Sequence, residues 1–224
     1  MKIKTKGSKV NRAWINDHVN DPYVKQAKVE GYRARAAYKL KEIDETFSLI
    51  KPGQLVVDLG SSPGAWSQYV RRKMSPKTAT SGGAAVGALN GVIIALDILP
   101  MEPVEGVLFL QGDFQEADVL QRLTDEMNGR LADVVISDMA PNLSGIASTD
   151  DARIEGLVEL ALEFAQTHMK PQGALVTKVF HGGAYEPLVK RFREIFLVVK
   201  RIKPKASRDK SSETFLVGVG LKPS

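Results

Sequence analysis

"VVDLGSSPGAWSQYV", residues 56–70, runs from a short apolar strand through a glycine-bearing turn into a helix. Glycine in such a turn lets backbone approach a ligand closely, and the helix N-terminus that follows offers unpaired N–H groups. Between Gly60 and Gly64 the pattern is G-S-S-P-G and not G-x-G-x-x-G, which argues against a pyrophosphate-bearing dinucleotide. The turn suits a nucleotide ligand without that group, such as S-adenosylmethionine. Any βα turn that requires glycine would look the same.

Two acids downstream bear on that choice. Asp97 ends the strand in "ALDILPM" (95–101), where a carboxylate can accept hydrogen bonds from both hydroxyls of a ribose. Asp113 follows the next strand in "LQGDF" (110–114), within reach of an adenine amine. Either acid alone could be a cap or turn residue. In open α/β sheets, however, ligands bind outside the carboxyl ends of strands. Three successive strands ending in a Gly turn, Asp and Asp fit one adenosine.

The same alternation extends along the chain. Strands are expected at 55–60, 91–97, 106–111, 133–138, 174–180, 197–203 and 214–221, with helices at 65–73, 115–127, 150–169 and 184–195. Short apolar strands alternating with amphipathic helices predict a parallel sheet covered on both faces. The last two strands have no helix between them and should form an antiparallel hairpin. The expected fold is therefore α/β: a seven-stranded, mostly parallel sheet with one antiparallel edge strand, as in Rossmann-like class I methyltransferases. Upstream, 21–32 predicts a short helix with Asp21 as N-cap and Pro22 in its first turn. In 33–47, Ala37, Leu40, Ile43 and Phe47 share one helical face. Residues 1–32 are expected to be a basic, RNA-contacting extension and 33–224 a single domain. The Gly/Ala-rich stretch 75–91 should be a flexible loop on the side away from the strand carboxyl ends.

With no cysteine in 224 residues, disulfides, thiolate metal sites and cysteine nucleophiles are excluded, and the three histidines are too scattered to suggest a metal site. No apolar run spans a membrane and the N-terminus lacks a signal-peptide core, so a soluble cytoplasmic protein is expected. Nothing demands more than a monomer. Residues 1–41 hold 11 Lys/Arg against 3 Asp/Glu, a net +8, and residues 200–210 hold 6 against 1, a net +5. Since the whole chain is +5, an acidic body carries two basic flanks. Basic flanks are the footprint of a nucleic-acid binder, although one alone would pass for a solvated surface.

Candidate chemistry centres on the fourth and fifth strands. "DVVISDMAPN" (133–142) ends in Asp138 and lacks the aromatic that amino-methyltransferases place there to stack a base. Carbon methylation of pyrimidines usually needs a cysteine nucleophile. A hydroxyl, such as a ribose 2′-OH, is the remaining target, and it needs a base to take or orient its proton. Lys178 sits in the apolar strand "ALVTKVF" (174–180), a costly place for a lysine that is neither paired nor employed. Burial and a like charge would lower its pKa toward that task. A lysine snorkelling from a strand end is the plainer alternative.

The motifs "NRAW", "HVNDPYVKQAK", "EGYRARAAYKLKEI", "VVDLGSSPGAWSQYV", "LDILPM", "LQGDF", "SDMAPNLSG", "TKVFHGG" and "KPKASRDKSSETFLVG" together resemble the FtsJ-like family of ribosomal RNA 2′-O-ribose methyltransferases, in the family's order and over nearly the whole chain. The resemblance implies a Lys–Asp–Lys–Glu tetrad of Lys39, Asp138, Lys178 and Glu213, with Lys178 as general base. Lys39 and Glu213 would hold the ribose and tune the charge of the site. It implies S-adenosylmethionine bound by Gly60, Gly64, Trp66, Asp97, Asp113 and Asp138, and no metal. The implied substrate is a uridine of the 23S ribosomal RNA A-loop within the 50S subunit. Ala65 stands where many relatives have glycine, and the loop at 75–91 is longer than the family requires. Other readings stay open at this point: a 2′-O-methyltransferase of tRNA or an mRNA cap, a non-catalytic ribosome-assembly factor, and a dinucleotide-dependent oxidoreductase.

Overall fold

The computed structural model describes residues 20–75, 87–141, 145–208 and 211–223. Most of the basic extension (1–19) and the centre of the expected loop (76–86) lie outside the described residues. The elements run α1 (Pro22–Glu30), α2 (Ala36–Phe47), β1 (Leu55–Leu59), α3 (Ala65–Lys73), β2 (Val92–Asp97), β3 (Val107–Gln111), α4 (Ala117–Glu126), β4 (Ala132–Ser137), α5 (Ala147–His168), β5 (Met169–Phe180), α6 (Tyr185–Ile195), β6 (Phe196–Ile202) and β7 (Glu213–Leu221). No helix among these residues is long and apolar enough to cross a membrane.

The seven strands form one sheet in the order β3-β2-β1-β4-β5-β7-β6. β1 to β5 pair in parallel, and β7 is antiparallel to both β5 and β6. β1 is buried over its whole length, as a central parallel strand reading LVVDL must be. Its alternate side chains feed two cores. Leu55, Val57 and Leu59 pack with Val119, Leu162 and Phe192 from α4, α5 and α6. Val56 packs on the other face with Leu40, Ile43, Trp66 and Val70 from α2 and α3.

Where the sheet departs from expectation, the strand sequences explain it. The antiparallel strand does not form the edge; β7 lies one place inside it, and β6 is outermost. β7 is almost wholly buried, whereas β6 is mostly exposed and carries Lys200 and Arg201, charges that suit an edge. β5 begins at Met169 rather than 174, with a register shift against β4 between Ala132 and Val134. α5 begins at Ala147 rather than 150, because Asp150 turns back within the helix to accept from Gly145 N at 2.9 Å.

α1 is capped by Asp21, whose carboxylate accepts from Tyr23 N and Val24 N, and ends on Gly31. The described ends of the 75–91 loop stay near the start of β1: Asn90 O accepts from Gly53 N at 2.8 Å and Asn90 N donates to Met74 O at 3.0 Å. Those anchors lie opposite the strand carboxyl ends, as expected for this connection.

Candidate active site

At the carboxyl ends of β1, β2 and β4 lies a cleft of ≈ 780 Å³, lined by Gly60, Asp97, Asp113 and Asp138 together with Arg153 of α5. Gly60 has φ 73°, and a Cβ there would sit 2.8 Å from the main chain of Met139. Only glycine lets the turn after β1 pass so close to the turn after β4. Asp97 ends β2 with both carboxylate oxygens engaged, accepting from Ser62 N and Leu99 N, each at 2.8 Å. It therefore staples the glycine turn to the end of β2 and keeps further lone pairs for a ligand. Asp113, half-buried, accepts from Gln115 N at 3.0 Å, so it is a turn residue and a cleft residue at once.

Gly64 and Trp66 are placed elsewhere. Gly64 (φ 102°) starts α3 and is crowded by Arg33 and Met101. Trp66 is buried on the α2 side, its Nε1–H donating to Ala36 O at 2.8 Å and its ring 5.8 Å from Phe215 of β7. A tryptophan wedged there ties the glycine turn to α2 and β7, and its side chain does not line the cleft.

Beside the cleft the four candidate catalytic residues come together. Lys178 is nearly buried; its Nζ donates to the main-chain oxygen of Asp138 at 2.6 Å and stands 3.0 Å from Asp138 Oδ1. That double hold answers the cost of a lysine in an apolar strand. On the next strand Phe215 is in register with Lys178, and Glu213 with Phe180. Lys39 reaches Glu213 from α2, Nζ to Oε1 at 2.6 Å. Burial alone would push the Glu213 carboxyl up, but the Lys39 ammonium in contact with it, a Ser207 hydrogen bond and, least of the three, the Lys178 charge outweigh burial and hold it below its usual range. Lys178 thus acts on both carboxylates, and the two pairs form one cluster.

Sequence reasoning passed over Asp58, Arg33 and Glu42. Asp58 is fully buried in β1, one oxygen accepting from Ser67 Oγ at 2.6 Å and the other without a hydrogen-bond partner among the described residues. Burial pushes its carboxyl up to about 7; the Ser67 hydrogen bond opposes this, and the charges of Asp138 and Asp97 add to it. A carboxylate in the middle of an apolar strand was the available signal. Arg33 donates to Pro63 O at 3.0 Å and Pro103 O at 2.7 Å, strapping the glycine turn to the loop after β2. Glu42 accepts from Lys205 N at 2.6 Å and Ala206 N at 3.0 Å, far along the chain. Asp97 and Asp138 line the cleft, and the charges of both act on Asp58 buried in β1, so this end of the cleft is acidic and suits a ligand that carries positive charge.

The FtsJ-like methyltransferase family model matches residues 32–221. The chain is 83% identical over 223 residues to ribosomal RNA large subunit methyltransferase E of Albidiferax ferrireducens, covering 100% of both. It is 70% identical over 222 residues to the protein of that name from Methylibium petroleiphilum, covering 99% of each. Among solved structures, a Plasmodium falciparum chain described as a ribosomal RNA methyltransferase superposes with a TM-score of 0.71 at 25% identity, over 85% of this chain and 98% of that one. Aeropyrum pernix fibrillarin, solved with natively bound S-adenosyl-L-methionine, shares the fold with a TM-score of 0.53 at 13% identity, over 82% of this chain and 73% of that one. A match across this much of the chain leaves one assignment: it belongs to the FtsJ-like methyltransferase family.

Proposed function

We propose that this methyltransferase modifies the ribose 2′-hydroxyl of a uridine in 23S ribosomal RNA, within the 50S subunit, using S-adenosylmethionine. The observation that carries the reading is Lys178, fixed by Asp138 where the cleft meets the Lys39–Glu213 pair. The names of the relatives support ribosomal RNA of the large subunit as substrate.

S-adenosylmethionine supplies a methyl group activated on a positively charged sulfonium. Asp97 and Asp113 would receive the ribose hydroxyls and the adenine amine, and Asp138 would face the positively charged end. Asp138 lines the cleft and also touches Lys178, so it sets the distance between donor and base. In the neutral form Lys178 can keep donating to the Asp138 main-chain oxygen while its lone pair takes the hydroxyl proton. With S-adenosylmethionine bound, transfer of its methyl group to the 2′-oxygen would release S-adenosylhomocysteine, and Lys178 would take the proton that the hydroxyl loses. Lys39 and Glu213 hold the ribose in line for this displacement, so orientation supplies much of the acceleration.

The test offers radiolabelled S-adenosylmethionine with 50S subunits from a strain lacking the modification, beside naked ribosomal RNA and tRNA, and maps the label. The expected result is label on a ribose of the 23S A-loop. Label on tRNA alone would keep the chemistry and overturn the substrate. Cofactor binding with no label on any RNA would overturn catalysis.

A further inference from the structure

Just past Phe180, the end of β5, the loop 181–183 is exposed, and the transfer reaction has no use for it. Three contacts nevertheless fix it. His181 N donates to Ser212 O at 2.9 Å, immediately before Glu213. Gly183 N donates to Asp151 Oδ2 at 3.0 Å. The His181 imidazole lies against the ring of Tyr185, with centroids 4.2 Å apart and planes 37° from parallel. Tyr185 is buried, and the Arg201 guanidinium stands 5.4 Å from its centroid, tied to Glu186 at 3.1 Å. A surface ring is thus backed by a buried ring, and its loop is held by a main-chain bond at His181 and by the Asp151 carboxylate at Gly183. Lys178 is three residues away, roughly 10 Å along an extended chain.

We propose that His181 is a stacking platform for a nucleobase next to the target nucleotide, an inference that rests on the RNA methyltransferase reading above. Unstacked bases in RNA loops are recognised chiefly by aromatic faces. A ring already held in place loses little freedom when a base settles on it. Anchoring through Ser212 couples the platform to the strand that carries Glu213, so a base seated there would bring its neighbour's ribose toward the Lys39–Glu213 pair. Stacking accepts any base, so the platform would position the substrate without reading its sequence.

The experiment compares KM and kcat on unmethylated 50S subunits for the wild-type enzyme, His181→Ala, His181→Phe and His181→Lys, across a salt series. His181→Ala should raise KM about tenfold, the scale of one lost base stack, with kcat and cofactor affinity unchanged. His181→Phe should restore KM and His181→Lys should not. The salt slope of KM should be the same in all four, because no phosphate contact is lost. An unchanged KM in His181→Ala would overturn the platform, as would rescue by Lys but not Phe with a shifted slope. If wild-type enzyme methylates no ribosomal RNA, the underlying reading falls instead, so the two failures are distinguishable.

Discussion

The proposed cofactor side and the proposed ribose side of this site meet at Asp138 and differ in their electrostatics. On the proposed cofactor side, Asp97 ends β2, Asp138 follows β4, and between them Asp58 is buried within β1, pushed up to about 7 by burial with only Ser67 to oppose it. On the ribose side, Lys39 and Glu213 neutralise each other at 2.6 Å, and Glu213 is held low. The first side is left to be completed by a positively charged ligand. The second is already complete and serves as a frame. A lysine placed between them, in contact with Asp138 and close enough to act on Glu213, is where proton transfer can be coupled to both.

Removing Lys178 should have the largest effect. Lys178→Ala should lower single-turnover methylation about 10²- to 10⁴-fold, the usual worth of a general base. Cofactor affinity, measured by equilibrium dialysis, should stay within a few-fold, because the cleft wall is otherwise unchanged. Turnover near wild type would remove Lys178 from the role of base.

Next comes the unneutralised carboxyl. The folded pKa of Asp58 is raised, so between about 4 and about 7 the folded chain holds a proton that the unfolded chain releases. Its contribution to stability is fully present below the unfolded pKa and is lost as pH rises toward 7. Asp58→Asn abolishes that loss. The stability of Asp58→Asn relative to wild type should therefore climb with pH across this window, by on the order of 4 kcal/mol, and level off above it. Urea denaturation at several pH values measures it, and a flat difference would show that Asp58 is neutralised by something else. Glu213 has the opposite sign: its contribution is present above its unfolded pKa and lost on acidification, so Glu213→Gln should flatten the acid limb.

The ribose side should respond as a unit. Lys39→Ala and Glu213→Gln should each cost about 10- to 100-fold in kcat, the scale of a misplaced substrate, with cofactor binding intact. The double variant should cost little more than either single one. Additive losses would mean that the two residues act separately.

How much of this was legible in the sequence depends on whether the determinant is local. The strand, turn and helix around Gly60, and the aspartates at the ends of β2 and after β3, follow from period and turn chemistry within a few residues, and the cleft forms from them. The side on which Trp66 falls is set by the docking of α2, which no local pattern states, so its side chain packs against α2 and β7 and does not line the cleft. The place of β7 inside the edge depends on pairing between β5 and β7, and the hairpin alone gives no hint of it. Asp138 and Lys178 stood out from their places at the ends of apolar strands, whereas Lys39 and Glu213 were named through the family resemblance, and spacing alone would not have joined the four.

The smallest expected effect separates the pair from its support. At the N-cap of α2 and along it, Arg35, Lys39 and Glu42 are spaced at one turn or slightly less and address the 205–206 loop and the start of β7: Arg35 donates to Ala206 O, Lys39 pairs with Glu213, and Glu42 accepts from Lys205 N and Ala206 N. Glu42 touches no candidate catalytic group, yet it fixes the segment that leads into Glu213. Glu42→Ala should therefore lower kcat by about tenfold or less, leave cofactor affinity unchanged, and shift the melting temperature by only a few degrees. In a Glu213→Gln background the same substitution should cost almost nothing further, because there is no longer a pair to position. An undiminished loss in that background would mean that Glu42 acts through the 205–206 loop itself, and that the frame on the proposed ribose side is held by Lys39 and Glu213 alone.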